Sequence, residues 1–123
     1  MQLNTARVFV RDLAGARQFY ESVLGLPIKV DGEKFGYCVF GAGAAELVVE
    51  VVDAEAPRED QVLVGRFTGL SFSVPDVRLK HEELLARGVS FTGDPELQVW
   101  GGTLATLVDP AGNELQIVQH AAA

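Results

Sequence analysis

The hydrophobic pattern of the chain predicts short strands and two helices. Near the C-terminus, Leu115 and Ile117 alternate with Glu114 and Gln116, which is the period of two expected for a strand with one face against a core. Between residues 13 and 24, and again between 77 and 85, apolar residues recur every three or four positions, which predicts amphipathic helices. A polar residue such as Gln116 in the middle of an apolar strand faces either water or a site.

Both helical segments belong to an internal repeat. The segment 8–26 aligns with 72–89, so that a short strand, an aspartate, a helix and a glycine follow one another in both copies. Asp12 and Asp76 stand where an N-cap carboxylate accepts hydrogen bonds from the first helical turn. Gly25 and Gly88 stand where a helix commonly ends in a left-handed residue. Each copy therefore contains its own start and stop signals.

Three further strands are predicted after each helix. Turn residues separate the last two strands of each half, at 42–45 and at 109–113. The predicted strands cover residues 27–30, 35–40, 46–52, 89–92, 103–108 and 114–119. Each half then has the order β-α-β-β-β, with the halves at 1–52 and 67–120 and a linker at 53–66. The pattern predicts an α+β fold.

Composition narrows the classes of function. A chain of 123 residues suits one domain, and a formal net charge of −7 at pH 7 disfavours nucleic acid, whose phosphates need clustered lysine and arginine. No apolar run reaches about 18 residues, so no membrane span is expected, and the first residues lack the pattern of a secretion signal. The single cysteine, Cys38, is interpreted as a small buried hydrophobe. These features favour a cytoplasmic protein.

Four short motifs occur in a defined order along the chain. They are Val10-x-Asp12, Phe19-Tyr20, Leu24-Gly25-Leu26 and Asp109-Pro-x-Gly-Asn113. In the order and spacing of these motifs, the sequence resembles the vicinal oxygen chelate superfamily. This superfamily includes glyoxalase I, bleomycin resistance proteins, extradiol dioxygenases and fosfomycin resistance enzymes. The resemblance covers nearly the whole chain and implies a single domain, 1–123. Its two βαβββ modules would form curved mixed sheets around a cavity, each with a helix on its convex face.

The resemblance has a further implication for assembly. Members of this length are usually homodimers, often with cavities completed across the two chains. The modules either pair within one chain or swap between chains, and the sequence leaves both arrangements open.

Strand parity predicts which side chains line the cavity. In the first strand Val8 and Val10 should face the helix, which places Arg7 and Phe9 on the open face. The aromatic residues expected near the cavity are Phe9, Phe35, Tyr37, Phe40 and Trp100. The predicted ligand-binding residues are Arg7, Phe9, Tyr37, Glu46, Glu50, Ser71, Trp100 and Gln116.

The resemblance also implies four positions for ligands to a divalent metal. By motif they fall at Thr5, at Glu46 with Glu50 as the other candidate, at Gly69 and at Gln116. Both positions that usually carry histidine lack one, and one carboxylate with one amide are too few donors for a transition metal. The expected cofactor is therefore none, with one divalent ion at Glu46 and Gln116 as the alternative.

The remaining titratable groups leave two interpretations open. Neither histidine matches a ligand position: His81 is interpreted as a packed helix residue and His120 as a solvated tail residue. A desolvated Glu46 or Glu50 could act as a general base without a metal. Alternatively, one of these carboxylates forms an internal ion pair with Arg7.

The function that these features favour is binding rather than catalysis. The chain is similar in length and charge to bleomycin resistance proteins, which sequester a drug without altering it. The expectation is a metal-free homodimer that binds an aromatic or apolar compound, including a cationic one. The alternative is a glyoxalase-like lyase or isomerase that uses Glu46, the candidate catalytic residue, and Gln116, with a divalent metal or as a metal-free acid/base pair.

Overall fold

The computed structural model describes residues 1–121. The strands are β1 (Thr5–Val10), β2 (Ile28–Gly32), β3 (Tyr37–Ala42), β4 (Ala45–Val51), β5 (Phe67–Ser73), β6 (Ser90–Phe91), β7 (Glu96–Leu97), β8 (Thr103–Val108) and β9 (Glu114–Gln119). The helices are α1 (Leu13–Gln18), continued by a π-helical turn (Phe19–Val23), α2 (Arg58–Gln61) and α3 (Val77–Ala86), and a 3-10 turn covers Glu33–Phe35. Within the described residues, every helix is too short or too polar to cross a membrane.

The chain divides into two compact units. Unit 1 consists of Met1–Arg66 together with the turn Pro110–Asn113. Unit 2 consists of Phe67–Asp109 and, among the described residues, of 114–121. Residues 53–66, predicted as a linker, carry α2 and belong to unit 1, where Val64 forms a parallel bridge with Phe9.

Unit 1 contains a four-stranded mixed sheet in the order β1-β4-β3-β2, with β1 parallel to β4 and the other pairs antiparallel. Helix α1 begins where the sequence predicts, because the Asp12 side chain accepts a hydrogen bond from the backbone N–H of Gly15 at 3.1 Å. Gly25 follows with φ of +78°, which confirms the predicted left-handed stop.

The core of unit 1 lies between this sheet and α1. Val8 and Val10 of β1 are buried, as their parity predicts. The Tyr20 ring lies 5.1 Å from that of Phe19 and 5.9 Å from that of Phe40, measured between centroids. The other buried apolar residues of this unit include Leu13, Ala16, Cys38, Leu47, Val49 and Val52.

Unit 2 repeats the plan with a five-stranded mixed sheet. The order is β5-β9-β8-β6, β7 also pairs with β8, and β5 is parallel to β9. Asp76 caps α3 by accepting from the backbone N–H of Leu79 at 3.0 Å, and Gly88 follows the helix with φ of +88°. Strand β7 was not predicted, because its two residues are too few for a hydrophobic period. The predicted α+β class with two mixed sheets is confirmed.

One face of the second sheet is covered by α3. His81 is buried on the inner face of this helix, and its ring lies 4.4 Å from that of Phe91. This packing agrees with the interpretation of His81 as a packed helix residue. The buried apolar residues of unit 2 include Val77, Leu84, Val89, Ala105, Leu107, Leu115, Ile117 and Val118.

Candidate functional site

The face of the first sheet opposite α1 carries charged and aromatic side chains in a regular register. Phe9 of β1 lies opposite Glu50 of β4, and Glu50 lies opposite Tyr37 of β3. Neighbouring strands place residues in register on the same face of a sheet. Glu50 is therefore flanked on both sides by an aromatic residue.

The Glu50 carboxylate is paired with Arg7. Arg7 Nε donates to Glu50 Oε1 at 2.5 Å and Nη2 donates to Oε2 at 3.0 Å, which is the bidentate geometry favoured by guanidinium and carboxylate. The same guanidinium carbon lies 5.1 Å from the centroid of the Phe9 ring. The hydrogen bonds to Glu50, and then its charge, raise the pKa of Arg7. The sequence left open whether Arg7 pairs with Glu46 or with Glu50, and the structure contains the pair with Glu50.

A concave surface lies beside this pair and encloses a volume of about 680 Å³. All its lining residues belong to unit 1. Its floor comes from β3 and β4, and its rim from the 3-10 turn and from Asp53. It is lined by Glu33, Lys34, Phe35, Gly36, Tyr37, Val39, Val48, Glu50, Val51 and Asp53. Three carboxylates and one lysine are among these residues, but Glu50 is paired with Arg7 and Glu33 with Arg17, which leaves Asp53 as the carboxylate without an arginine partner within residues 1–121.

Two aromatic rings contribute to this concave surface in different ways. The Tyr37 ring lies across Gly32 of β2, where an added Cβ would come within 2.8 Å of the ring, so the glycine makes room for it. Phe35 stands on the rim with 83% of its surface exposed. A large exposed aromatic side chain beside a concave surface offers apolar contact area to a ligand.

Phe40 does not belong to the open face. It is fully buried and packs against Tyr20, because its parity on β3 matches that of Cys38 rather than that of Tyr37. The expectation that Phe40 lies near the cavity is therefore wrong, because its side chain belongs to the core. The lining residues at Glu33, Lys34 and Asp53 were not identified from the sequence, since they lie outside the strands and no parity argument reaches them.

Glu46 occupies a separate row of the same sheet, opposite Thr5 on β1 and Gly41 on β3. Its side chain is half-buried and, among residues 1–121, has no side-chain hydrogen-bond or ion-pair partner. Thr5 is exposed and its hydroxyl donates to Asn4 Oδ1 at 2.6 Å.

The open face of the second sheet carries a row of hydroxyl and amide groups. Ser71, Gln116 and Thr106 are in register on β5, β9 and β8. Gln116 Nε2 donates to Thr106 Oγ1 at 3.2 Å, and Ser71 Oγ donates to Gln116 Oε1 at a long 3.5 Å. Gln116 therefore faces a row of hydroxyl groups on its own sheet.

Gly69 lies at an irregularity of β5. The β5–β9 register shifts between Phe67 and Ser71, and Gly69 has φ of +75°. The hydroxyl of Thr68 donates to the Glu114 carbonyl at 2.8 Å and accepts from the Leu70 N–H at 3.2 Å, which holds this bulge. A left-handed backbone is strained for any residue with a Cβ, so this position is poorly suited to a histidine.

The four positions that the resemblance assigns to a divalent metal do not fit one. Gly69 has no donor, the Thr5 hydroxyl is a poor ligand, and the Gln116 amide is engaged by Thr106 and Ser71. Glu46 supplies the single carboxylate. Borderline divalent metals need several imidazole, carboxylate or thiolate donors at one point, and these residue types do not supply them.

A second cluster of metal-ligating residue types lies in unit 1. Asp31, Glu33 and Cys38 place one ligand atom each within 4.8 Å of one another. Arg17 already provides a cation there, since its Nη1 donates to Asp31 at 2.8 Å and to Glu33 at 3.3 Å. The backbone N–H of Glu33, and then Arg17, lower the pKa of Asp31, while burial raises the pKa of the Cys38 thiol. The cluster is an ion-pair network around an arginine with a protonated thiol beneath it.

Trp100 lies in the turn between β7 and β8 of unit 2. The Gly101 N–H donates to the Gln98 carbonyl at 2.9 Å, and the Trp100 ring lies over Gly102, where an added Cβ would come within 1.8 Å of it. The indole is 51% exposed and its centroid lies 5.9 Å from that of His120. Its assignment as a ligand-binding residue stays a prediction.

Asn113 has a structural role that the sequence did not reveal. It is fully buried, its Oδ1 accepts from the N–H groups of Gly65 at 2.8 Å and Arg66 at 3.3 Å, and its Nδ2 donates to the Phe9 carbonyl at 2.8 Å. An asparagine in a turn commonly bonds its own backbone neighbours. The Asp-Pro-x-Gly-Asn motif instead supplies a side chain that ties β1 to the end of the 53–66 segment.

Comparison with known proteins places this architecture in a family. Residues 2–117 match the family model described as Glyoxalase/Bleomycin resistance protein/Dioxygenase superfamily. The chain belongs to this superfamily. The superfamily assignment agrees with the resemblance seen in the repeat and its motifs.

Solved structures with a similar fold match nearly the whole chain. A superfamily member from Sphaerobacter thermophilus DSM 20745 has a TM-score of 0.80 at 25% identity, covering 98% of both chains. TnmS3, an antibiotic binding protein from Streptomyces sp. CB03234, has a TM-score of 0.78 at 24% identity, covering 98% of this chain and 97% of that one. Lactoylglutathione lyase from Agrobacterium tumefaciens has a TM-score of 0.76 at 21% identity, covering 96% and 92%. The last two likenesses show the fold alone, and the proteins that share it are named as an antibiotic binding protein and as an enzyme.

Proposed function

We propose that this superfamily member binds a small aromatic or apolar cation and releases it unchanged, as bleomycin resistance proteins do. The observation that carries the proposal is the position of Glu50, flanked by Phe9 and Tyr37 on the open face of the first sheet and lining a concave surface. A carboxylate between aromatic rings is a combination that attracts an organic cation.

The rim of the concave surface supports the same ligand class. Asp53 adds a carboxylate, and the exposed ring of Phe35 offers apolar area to a flat ligand. Burying about 100 Å² of apolar surface contributes about 2.5 kcal/mol, so the aromatic contacts would provide much of the affinity. The charges would then select among flat compounds.

We further propose that the protein binds its ligand without a metal cofactor. The support is the chemistry of the four candidate positions, at which Gly69 has a left-handed backbone and Gln116 is hydrogen-bonded within its own sheet. We also propose a cytoplasmic homodimer, on the composition and on the family resemblance. Ser71, Trp100 and Gln116 remain proposed ligand contacts.

One observation favours a second function. The Glu46 carboxylate is half-buried and, within residues 1–121, unpaired with any side chain, so it is available as a general base in a lyase or isomerase. This function requires turnover, which binding alone does not.

The test uses proflavine, a flat tricyclic cation, and acridone, a flat neutral compound. Calorimetric titration should show proflavine binding at least tenfold more tightly than acridone, and mass spectrometry should recover the compound unchanged. Glu50→Gln should remove most of this preference, whereas Glu59→Gln, which makes the same charge change on α2 outside the concave surface, should not. Equal affinity for both probes would contradict the proposed ligand class. Chemical conversion of a ligand that is lost in Glu46→Gln would favour the second function.

A further inference from the structure

Arg7 occupies a place with the chemistry of a cation site. Its guanidinium forms two hydrogen bonds to Glu50 and lies over the Phe9 ring, so a carboxylate and an aromatic face already hold a planar cation. Glu50 is also a lining residue of the concave surface, on the side of Tyr37. The carboxylate is thus shared between an internal cation and the surface on which an external one would bind.

We propose that Arg7 is an internal competitor for the ligand, and that a planar aryl guanidinium or amidinium displaces it from Glu50. The inference rests on the proposed function and explains its specificity. Glu50 binds the planar cation, and competition from Arg7 lowers the affinity for it. The aryl ring of the ligand lies toward Tyr37 and Phe35, which line the same concave surface.

The exposure of the pair makes the displacement feasible. The Arg7 side chain is 57% exposed and that of Glu50 is 28% exposed, so the pair lies in contact with solvent. Ion pairs of this kind stabilise a protein little, because the charges are hydrated when apart and side-chain entropy opposes the pair. A released Arg7 becomes hydrated on the surface, while the incoming cation takes over both hydrogen bonds.

The geometry also favours one shape of cation. Glu50 accepts through both oxygens in a fork that matches a guanidinium or amidinium, whereas an ammonium group acts as a point charge and cannot reproduce two parallel bonds. Planar cations should therefore bind more tightly than primary amines of equal size.

The experiment compares phenylguanidinium with phenylurea, which has nearly the same shape and no charge. The variant Arg7→Gln should tighten phenylguanidinium binding roughly fivefold, the equivalent of about 1 kcal/mol, because the competitor is gone. It should leave phenylurea unchanged within twofold. The matched control is Arg11→Gln, which removes the same charge from the end of the same strand, where Arg11 bonds to Gln61 rather than to Glu50. This control should change neither affinity more than twofold, and Glu50→Gln should abolish the difference between the two probes.

NMR titration of the wild-type protein provides a second readout. The Arg7 side-chain Nε–H resonance should shift toward the position of a free arginine as phenylguanidinium is added, and phenylurea should not move it. Phenylguanidinium binding that Arg7→Gln weakens or leaves unchanged would overturn the competitor assignment while preserving the proposed function. Failure of both phenylguanidinium and proflavine to bind to the wild-type protein and to Arg7→Gln would overturn both.

Discussion

The two units share a plan for the backbone and differ on their open faces. In each, an aspartate caps a helix and a left-handed glycine follows it, at Asp12 with Gly25 and at Asp76 with Gly88. The residues that define helix ends are similar in the two copies because capping and left-handed turns permit few residue types.

The open faces show the difference. The first sheet carries a guanidinium–carboxylate pair beside aromatic rings, and the second carries the hydroxyl–amide row of Ser71, Gln116 and Thr106. Side chains on an open face are not constrained by core packing, so the two copies can take on different chemistry without a change of fold. Charge recognition is therefore expected in unit 1 and neutral hydrogen bonding in unit 2.

The largest effect on stability is expected at Asn113. This residue has no counterpart in the hairpin turn of the first half, where Ala42 pairs directly with Ala45. Asn113→Ala should lower the free energy of unfolding by about 2–4 kcal/mol, because it removes the partners of two N–H groups and one carbonyl in a part-buried place. Urea denaturation measures the change. Asn4→Ala, at an exposed position, is the control and should change stability by less than about 0.5 kcal/mol. A loss below about 1 kcal/mol at Asn113 would show that the turn contributes little to unit 1.

The next effect tests the bulge that distinguishes β5 from β1. Gly69→Ala should destabilise the protein by about 1–2 kcal/mol, because alanine is strained at φ of +75°. Gly93→Ala is the matched control: nothing lies within 4 Å of its added Cβ and its φ is not in the left-handed region, so stability should stay equal or rise slightly. Thermal denaturation of both variants compares them directly. Equal stability of the two variants would mean that β5 relaxes to a regular strand.

The smallest effect tests what the two units share. Asp12→Ala and Asp76→Ala should each cost about 1 kcal/mol, since each removes one N-cap hydrogen bond of about 3 Å. The two losses, measured by chemical denaturation, should agree within about 0.5 kcal/mol. A cap that costs nothing in one unit alone would show that the symmetry of the repeat does not extend to its energetics.

Part of the candidate site was predictable from strand parity. Arg7, Phe9 and Glu50 share the open face as predicted, because alternation along a strand is a local property. Phe40 was placed wrongly, since an aromatic residue in an apolar run gives no sign of which neighbour packs on it. Parity also cannot choose between Glu46 and Glu50 as the partner of Arg7, because both lie on the same face of β4.

The sequence by itself determined the fold class and the repeat, because the order of elements can be followed along the chain. It also determined the helix caps and the left-handed helix stops, because each depends on residues within one or two turns. Tertiary structure alone decided that Arg7 pairs with Glu50, that Asn113 holds Phe9, Gly65 and Arg66, and that β5 bulges at Gly69. These features depend on the register between strands and on segments far apart in the chain. Register follows from how whole faces pack together, which no local pattern contains.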